Sequence, residues 1–390
     1  MRIAYFTDTY LPQINGVTNT LRRLGDYLND RQIEHMFFAP EYEKESSGLA
    51  HFNASPVTRF KSVTLPFYQE CRLSVPNYAK LSQIADRFQP DLIHLTDPLG
   101  IGLAGLRYAR ERQIPVVSSF HTNFDTYLKY YKMEYLEGMV WALFQWFHRF
   151  SEMNFCPSQT TMNVLAEKGI ENLALWSRGV DSVRFNPDLR SEEVRRQFLQ
   201  EPDQLLYLYV GRIAPEKDLD ILTESIKLVN STHKTKIRFV MVGGGPYTKE
   251  MQEQSDDNVL FTGYMQGQEL SALYASCDAF VFPSSTETFG NVVLEAMASG
   301  LPVITVNSGG VIDNVFDGQN GLLCEARDAV SLAAGITKLA DDSRLRETLA
   351  ANALAHAATK SWSSIFDQLV RDYDFVLEKN RANLQVSLAG

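Results

Sequence analysis

Short apolar runs alternate with longer amphipathic stretches along the whole of this 390-residue chain. The first half contains the runs RIAYFT, HMFFAP, DLIHLT, PVVSSF and MNFCPS, and the second contains LLYLYVG, IRFVMVG, VLFTG, AFVFPS, PVITV and GLLC. Runs this apolar, separated by helical patterns, are typical of parallel strands that are covered on both faces. The pattern therefore predicts an α/β fold with a doubly wound sheet in each half.

The length of the chain indicates two domains of similar size, because one ordinary core does not grow this large. The stretch RGVDSVRFNPDL (178–189) separates the two halves, and its Pro187 interrupts regular structure. We expect an N-terminal domain over 1–185 and a second domain over 186–361. The pattern after the last apolar run predicts a C-terminal helix within 362–390 that reaches back to the first domain.

Composition excludes several classes of protein. The hydrophobic fraction of 45% and the charged fraction of 22% are those of a globular protein. The formal net charge is −10, and the acidic excess lies in the second half, which disfavours nucleic acid as a partner there. The four cysteines form no CxxC pair, which indicates reduced thiols of a cytoplasmic protein. We expect no signal peptide, and no run of about 18 apolar residues predicts a membrane span.

Two turns in the second half have the chemistry of an anion-binding site. Arg212 and Lys217 follow LLYLYV and precede a helical pattern, and a guanidinium with a nearby ammonium suits a diphosphate. The stretch STETFGNVVLEAM follows AFVFP and begins a helix near Phe289, Gly290 and Asn291. The free N–H groups and the dipole of a helix start favour an anion. Taken alone, Arg212 and Lys217 also fit a solvated loop.

Two glutamates bracket the second of these turns. Glu287 lies in the loop before the helix, and Glu295 lies about one and a half turns inside it. At that depth a carboxylate can accept hydrogen bonds from two ribose hydroxyls. The alternatives are an N-terminal helix acid for Glu287 and an exposed helix face for Glu295. The apolar residues around Glu295, VVL before it and AMASG after it, argue against a merely solvated acid.

Two further candidates follow strands of the first half. Gly16 precedes a helix in DTYLPQINGV, and the lack of a GxGxxG pattern there disfavours a nicotinamide-dependent enzyme. His121 lies where PVVSSF ends, at the carboxyl end of a predicted strand, where open α/β sheets bind their ligands. A lone histidine is often structural, but this placement favours function.

Two segments keep more than one interpretation. The acids of DLD (218–220) fit a metal-binding DxD pattern, but they begin a helix, and we interpret them as an ordinary first turn without a metal. The aromatic segment 130–150 is either a core helix of the first domain or a surface that contacts a membrane or a lipid acceptor. The sequence alone does not decide between these two roles.

Taken together, the motifs NGV, FHT, RGVD, VGRIAPEK and ETFGNVVLEAMASGLPVI resemble those of family-4 retaining glycosyltransferases. The resemblance covers nearly the whole chain in the right order. It implies the GT-B architecture, in which two Rossmann-like domains face each other across a cleft. It further implies that the first domain binds the acceptor and that the second binds a nucleotide sugar.

The resemblance also implies roles for the candidate residues. Glu287 is expected to contact the donor sugar and His121 to lie by the reacting sugar, and these two are the catalytic candidates. Glu295 is expected to hold the ribose, while Gly16 completes the phosphate cradle from the other domain. The remaining nucleotide-sugar-binding candidates are those expected to meet the diphosphate: Arg212, Lys217, Phe289, Gly290 and Asn291.

RGVD and FHTNFDTYLKYY are similar to a branch of mannosyltransferases that use GDP-mannose and sulfolipid synthases that use UDP-sulfoquinovose. Many relatives have Asn where this chain has Arg178, so the resemblance does not determine which nucleotide the donor sugar carries. We expect retaining transfer of a hexose from GDP-mannose or a UDP-hexose to a hydroxyl acceptor, without a cofactor. The branch implies a lipid or glycolipid acceptor and peripheral contact with the inner membrane face. A GT-B epimerase and a non-catalytic nucleotide-sugar-binding protein are the alternatives.

Overall fold

The structure is a computed structural model, and it describes residues 1–13, 15–42, 55–65, 68–121 and 134–389. The strands of the first sheet and its hairpin are β1 (Arg2–Phe6), β2 (Glu34–Pro40), β3 (Val57–Phe60), β4 (Ser62–Leu65), β5 (Tyr68–Ser74), β6 (Leu92–Leu95), β7 (Val116–Ser119), β8 (Met153–Cys156) and β9 (Leu173–Leu175). The helices among them are α1 (Gly16–Asp30), α2 (Tyr78–Phe88), α3 (Gly100–Arg112), α4 (Glu137–His148) and α5 (Gln159–Glu167).

The second sheet follows in the chain. Its strands are β10 (Leu205–Val210), β11 (Ile237–Val242), β12 (Val259–Gly263), β13 (Ala279–Phe282), β14 (Val303–Val306) and β15 (Gly321–Cys324). The later helices are α6 (Glu192–Phe198), α7 (Leu219–His233), α8 (Thr248–Gln254), α9 (Gly267–Ser276), α10 (Asn291–Ala298), α11 (Ala329–Asp341), α12 (Ser343–Ala358) and α13 (Trp362–Ala389).

Both large sheets are parallel and doubly wound, as the apolar pattern predicts. Their strand orders are β3-β2-β1-β6-β7-β8-β9 and β12-β11-β10-β13-β14-β15, while β4 and β5 form an antiparallel hairpin. Every apolar run named in the sequence coincides with a strand of these sheets. The order reverses between β1 and β6 and between β10 and β13, and ligands bind at such switch points. The expected domain boundary at 185 lies in the connection between β9 and β10.

The C-terminal helix α13 packs against the first sheet. Phe366, Leu369 and Tyr373 of this helix are buried in one apolar cluster with Ile3 and Tyr5 of β1. Helix α13 starts at the connection between the sheets, where the backbone N–H of residue 180 donates to the carbonyl of residue 360 at 2.9 Å. The end of the chain thus lies on the sheet in which the chain began.

Helix α4 contains most of the described part of the aromatic segment 130–150, of which residues 130–133 lie outside the described residues. One face of α4 is buried through Trp141, Phe144 and Phe147. The opposite face exposes Met139 and Trp146, with 64% and 38% of their surface accessible. The helix therefore contributes to the core and also presents an apolar face. Within the described ranges, every helix is too short or too polar to cross a membrane.

We predict that Gly105→Ala lowers the free energy of unfolding by about 1–2 kcal/mol. A Cβ at Gly105 would lie 2.5 Å from the ring of Phe6 and 2.9 Å from Leu95, and neither buried side chain has room to move. Overpacking costs about 1–3 kcal/mol, and the better helix propensity of Ala offsets part of it. Urea denaturation measures the change.

Gly138→Ala is the matched control, because a Cβ at this helical glycine meets no atom within 4 Å. This variant should be as stable as the parent chain or more stable by up to about 1 kcal/mol. Equal stability of the two variants would contradict the close packing of α3 on β1 and β6.

Candidate active site

The turns that follow β10 and β13 meet at the switch point of the second sheet. The ammonium of Lys217 donates to the carboxylate of Glu287, and the guanidinium of Arg212 donates to Glu216 at 3.0 Å. Burial alone would lower the pKa of Lys217, but the carboxylate of Glu287 outweighs it and raises that pKa. Two cations from one turn and one candidate glutamate from the other are thus held in a single cluster.

Asp218 connects the same two turns and is almost fully buried. Its carboxylate accepts from the backbone N–H of Ser285 at 2.8 Å and from the Ser285 hydroxyl at 2.6 Å. Its φ of 51° is left-handed. The interpretation of DLD as an ordinary first helical turn is therefore wrong for Asp218, which instead anchors the Glu287 loop. Among the described residues, no three His, Cys, Asp or Glu side chains are grouped as a metal site would require.

Gly290 is the N-cap of helix α10 and has a φ of 83°, which favours glycine, and no side-chain hydrogen bond caps this helix start within the described part of the chain. The carbonyl of Glu287 accepts from the N–H of Gly310 at 2.7 Å, which fixes the turn before the helix. A Cβ at Gly16, the first residue of α1, would lie 3.0 Å from the side-chain nitrogen of Asn291. Gly16 therefore lets the first domain approach the start of α10.

Glu295 lines a narrow pocket whose walls come from both halves of the chain. Arg23, Asp181, Asn291 and Trp362 also line this pocket, and Arg23 forms an ion pair with Asp181 at 3.0 Å. The carboxylate of Glu295 accepts from the Tyr274 hydroxyl at 3.3 Å, and burial raises its pKa to about 7. An exposed helix face does not describe this position.

His121 lies at the end of β7, and both of its ring nitrogens are bonded to the protein. Nε2 lies 2.7 Å from the hydroxyl of Ser119, and Arg178 donates to Nδ1 at 2.9 Å. Burial lowers the pKa of His121 well below its usual value, and the nearby positive charge of Arg178 lowers it further. The ring is therefore neutral at physiological pH. Its backbone carbonyl accepts from the Thr288 hydroxyl at 3.1 Å, across the cleft.

Asp313 joins the two halves at a second place. Its carboxylate accepts from the backbone N–H of Thr160 at 3.4 Å and from the Thr160 hydroxyl at 2.5 Å, at the start of α5. The hydroxyl of Thr161 donates to the carbonyl of Thr288 at 3.3 Å. Sequence reasoning missed Asp313, Asp218 and Glu216. For the last two, the signal was their position beside Lys217 in PEKDLD.

Contacts thus bring most of the candidate residues together around one cleft between the two sheets: Gly16, His121, Arg212, Lys217, Glu287, Asn291 and Glu295. Gly290 is the N-cap of α10 at this cleft, while the side chain of Phe289 is buried in the core of the second domain. At the switch point of the second sheet each of the two cations is paired with a carboxylate, Arg212 with Glu216 and Lys217 with Glu287. Such a cleft can hold an anionic ligand between two domains.

Solved structures share the fold of this chain. The structure of HepE from Anabaena in complex with UDP and glucose superimposes with a TM-score of 0.78 at 22% identity, covering 96% of this chain and 99% of that chain. Sucrose-phosphate synthase from Thermosynechococcus elongatus gives a TM-score of 0.77 at 18% identity, covering 97% and 99%. At these identities the likeness concerns the fold, which is GT-B, as the sequence predicted.

Sequence comparison gives the family. Residues 190–356 match the glycosyl transferases group 1, and residues 14–184 match Glycosyltransferase Family 4. A GDP-mannose-dependent alpha-mannosyltransferase of Corynebacterium glutamicum is 32% identical over 97% of this chain and 89% of its own length. Sulfoquinovosyl transferase SQD2 of Arabidopsis thaliana is 33% identical over 93% and 71%. The chain therefore belongs to the family-4 glycosyltransferases, which confirms the family and the glycosyltransferase class predicted from the sequence.

The raised pKa of Glu295 predicts a pH-dependent stability. Because folding favours the protonated carboxyl, the free energy of unfolding should fall as the pH rises from about 4.5 through about 7. Glu295→Gln lacks this loss of stability, so its free energy of unfolding should equal that of the parent chain near pH 4 and exceed it by about 1–2 kcal/mol near pH 8. The difference stays below the full 1.36 kcal/mol per pKa unit because the side chain is only partly buried.

Urea denaturation at the two pH values measures this difference. Glu347→Gln, which changes an exposed glutamate of α12 in the same way, is the control, and its free energy of unfolding should equal that of the parent chain at both pH values. A Glu295→Gln variant that tracks the parent chain at both pH values would contradict the burial of this carboxyl group.

Proposed function

We propose that this glycosyltransferase transfers a hexose, with retention of anomeric configuration, from GDP-mannose or a UDP-hexose to the hydroxyl of a lipid or glycolipid. The observation that carries the proposal is the cluster of Arg212, Lys217 and Glu287 beside the uncapped start of α10. The names of the relatives support the acceptor class, because an alpha-monoglucosyldiacylglycerol synthase of Streptococcus pneumoniae is 29% identical over 78% of this chain. Residues 186–361 would bind the donor and residues 1–185 the acceptor.

The donor diphosphate is proposed to lie between Arg212, Lys217 and the N–H groups of 289–291. An ammonium has three donors, so Lys217 can hold Glu287 and a phosphate oxygen at the same time. Positive charge placed before the reaction stabilises the charge that grows on the leaving diphosphate. These groups supply that charge from the protein itself, and we therefore expect transfer without an added metal ion.

The sugar and the ribose are proposed to lie on opposite sides of this diphosphate. Glu287 would accept hydrogen bonds from the hexose hydroxyls, and Glu295 would accept them from the ribose. The buried Oδ1 of Asn291 has no partner among the described residues, and it would accept from the donor near the contact with Gly16. His121 would lie beside the hexose, because its carbonyl holds Thr288 next to Glu287.

Retention is proposed to proceed by substitution on one face of the sugar. The bond between the anomeric carbon and the phosphate oxygen breaks, and the acceptor oxygen bonds to the same face. The acceptor proton passes to the departing phosphate oxygen. A double displacement would need a free carboxylate nucleophile. Glu287 is engaged by Lys217, and the Ser284 hydroxyl also donates to it at 3.3 Å.

The exposed face of α4 supports peripheral contact with a membrane. Met139, Leu143 and Trp146 are exposed at spacings that place them on one side of the helix. The guanidinium groups of Arg110 and Arg149 lie 4.7 and 4.6 Å from the ring of Phe150 just beyond it. Apolar side chains beside cations suit the surface of a membrane with anionic lipids.

A screen of donors tests the proposed function. The protein is incubated in EDTA with GDP-mannose or UDP-hexoses, and with a hydroxyl lipid in vesicles or a water-soluble sugar. We expect one donor to release its nucleoside diphosphate and to give a lipid product whose NMR spectrum shows the donor's anomeric configuration. Isomerised sugar without transfer would instead indicate an epimerase, and binding without turnover a non-catalytic protein. Loss of activity in EDTA would refute the metal-free leaving-group model.

The cations at the diphosphate give a sharper prediction. Arg212→Gln and Lys217→Gln should each lower kcat/KM by about a hundred- to a thousandfold, because each removes a charge aimed at the leaving group. Steady-state kinetics with the best donor measures the loss. Lys227→Gln, which removes an exposed cation from α7 of the same domain, is the matched control and should leave kcat/KM unchanged. Near-normal turnover in either test variant would remove the diphosphate assignment.

A further inference from the structure

A buried series of hydrogen bonds runs from the C-terminal helix to the active-site histidine. The Tyr373 hydroxyl lies 2.6 Å from Nδ1 of His94, and Nε2 of His94 lies 3.0 Å from the Ser119 hydroxyl. That hydroxyl lies 2.7 Å from Nε2 of His121, and Nδ1 of His121 accepts from Arg178 at 2.9 Å. We call these five residues the His94–His121 network. They come from α13, β6, β7, the end of β7 and the connection after β9.

The chemistry of these groups determines the direction of donation at His121. Arginine side chains only donate hydrogen bonds, so Nδ1 of His121 carries no proton and the proton of the neutral ring is on Nε2. Nε2–H then donates to the Ser119 hydroxyl, which also lies within hydrogen-bond distance of Nε2 of His94. Arg178 thus determines the tautomer of His121.

This network is costly to bury. Tyr373 and His94 are fully inaccessible to solvent, and Arg178 is 5% exposed. Arg178 also donates to the carbonyls of Trp176 and Ser177, but among the described residues no carboxylate forms an ion pair with it. Burial lowers its pKa to about 9. Buried charges without a counterion reduce stability, and residues that lower stability in this way are concentrated at functional sites.

We infer that Arg178, Ser119, His94 and Tyr373 are positioning residues of the proposed transfer reaction. They hold His121 as a neutral ring in one tautomer and one orientation. The carbonyl of His121 then holds the Thr288 hydroxyl, and Thr288 adjoins Glu287. Residues buried in the first domain thereby position the turn of the second domain that is proposed to bind the sugar. This inference rests on the proposed function, because it names the residues that support that same site.

The tautomer of His121 is tested by NMR on protein labelled with nitrogen-15 in histidine, with His121→Asn used for assignment. We expect a pyridine-type Nδ1 and a pyrrole-type Nε2, unchanged across about pH 5–8. Arg178 and His94 are the titratable groups that bear on the ring, and burial holds the pKa of His94 at about 3. A proton on Nδ1, or a ring that becomes charged in this range, would overturn the inference. This result is independent of whether the chain transfers sugar.

Kinetics tests the positioning role. Ser119→Ala and Tyr373→Phe each remove one hydroxyl, and each should lower kcat by about tenfold or more, because small misplacements at a reacting centre have large effects on rate. The KM for the donor and the affinity for nucleoside diphosphate should change by less than about twofold, since the diphosphate groups are untouched. Ser119→Thr keeps the hydroxyl and should recover most of the rate.

Tyr207→Phe is the matched control, because it removes a buried hydroxyl that donates to a carbonyl at 3.2 Å in the second domain. Its kcat should be unchanged. A kcat for Ser119→Ala and Tyr373→Phe that matches this control would overturn the inference. So would a parallel loss of nucleotide affinity, because it would indicate general damage to the fold. If the parent chain transfers no sugar from any donor, the proposed function fails, while the NMR result still decides the geometry of the network.

Discussion

The arrangement of the site depends on the contact between Lys217 and Glu287 across two turns of the second sheet. Each turn follows a strand that flanks the switch point, and the first turn contains a short 3-10 helix, Pro215–Lys217. The ion pair, together with the Asp218 carboxylate on Ser285, converts two independent loops into one rigid cluster. Removing one charge from a buried pair leaves the other uncompensated. The same groups therefore support the fold of the turn and are the ones proposed to meet an anionic ligand.

Contacts across the cleft then bring the first domain to this cluster. Gly16 approaches Asn291, the carbonyl of His121 holds Thr288, and the Asp313 carboxylate lies at the start of α5. These contacts involve loops and helix ends, which can separate without disrupting either core. We therefore expect the cleft to close on a ligand and reopen by motion at the connection after β9.

The apolar pattern predicted the sheets because their central strands are buried on both faces and read as continuous hydrophobic runs. It missed β3 and β9, which are edge strands: β3 contains Thr58 and Arg59, and β9 has three residues. Most candidate residues could be found because they follow a strand or begin a helix, and Glu295 because apolar residues surround it in the sequence. Their partners could not, because Glu216 and Asp218 read as solvated acids until the Glu287 loop covers them. Asp313 lies 153 residues from Thr160, a separation that no local pattern spans.

The role of Arg178 depends on tertiary packing and could not be inferred from the residues next to it in the sequence. In the sequence it is one charged residue of RGVD, in a stretch interpreted as the boundary between domains. In the structure its charge is buried against Trp176, and its donors end on two carbonyls and on His121. An uncharged donor would satisfy those carbonyls without the free-energy cost of burying a charge. If that side chain could also accept a hydrogen bond, however, it would leave the tautomer of His121 undetermined. Because a guanidinium can only donate, Arg178 connects the segment after β9 to the site and determines which ring nitrogen of His121 carries the proton.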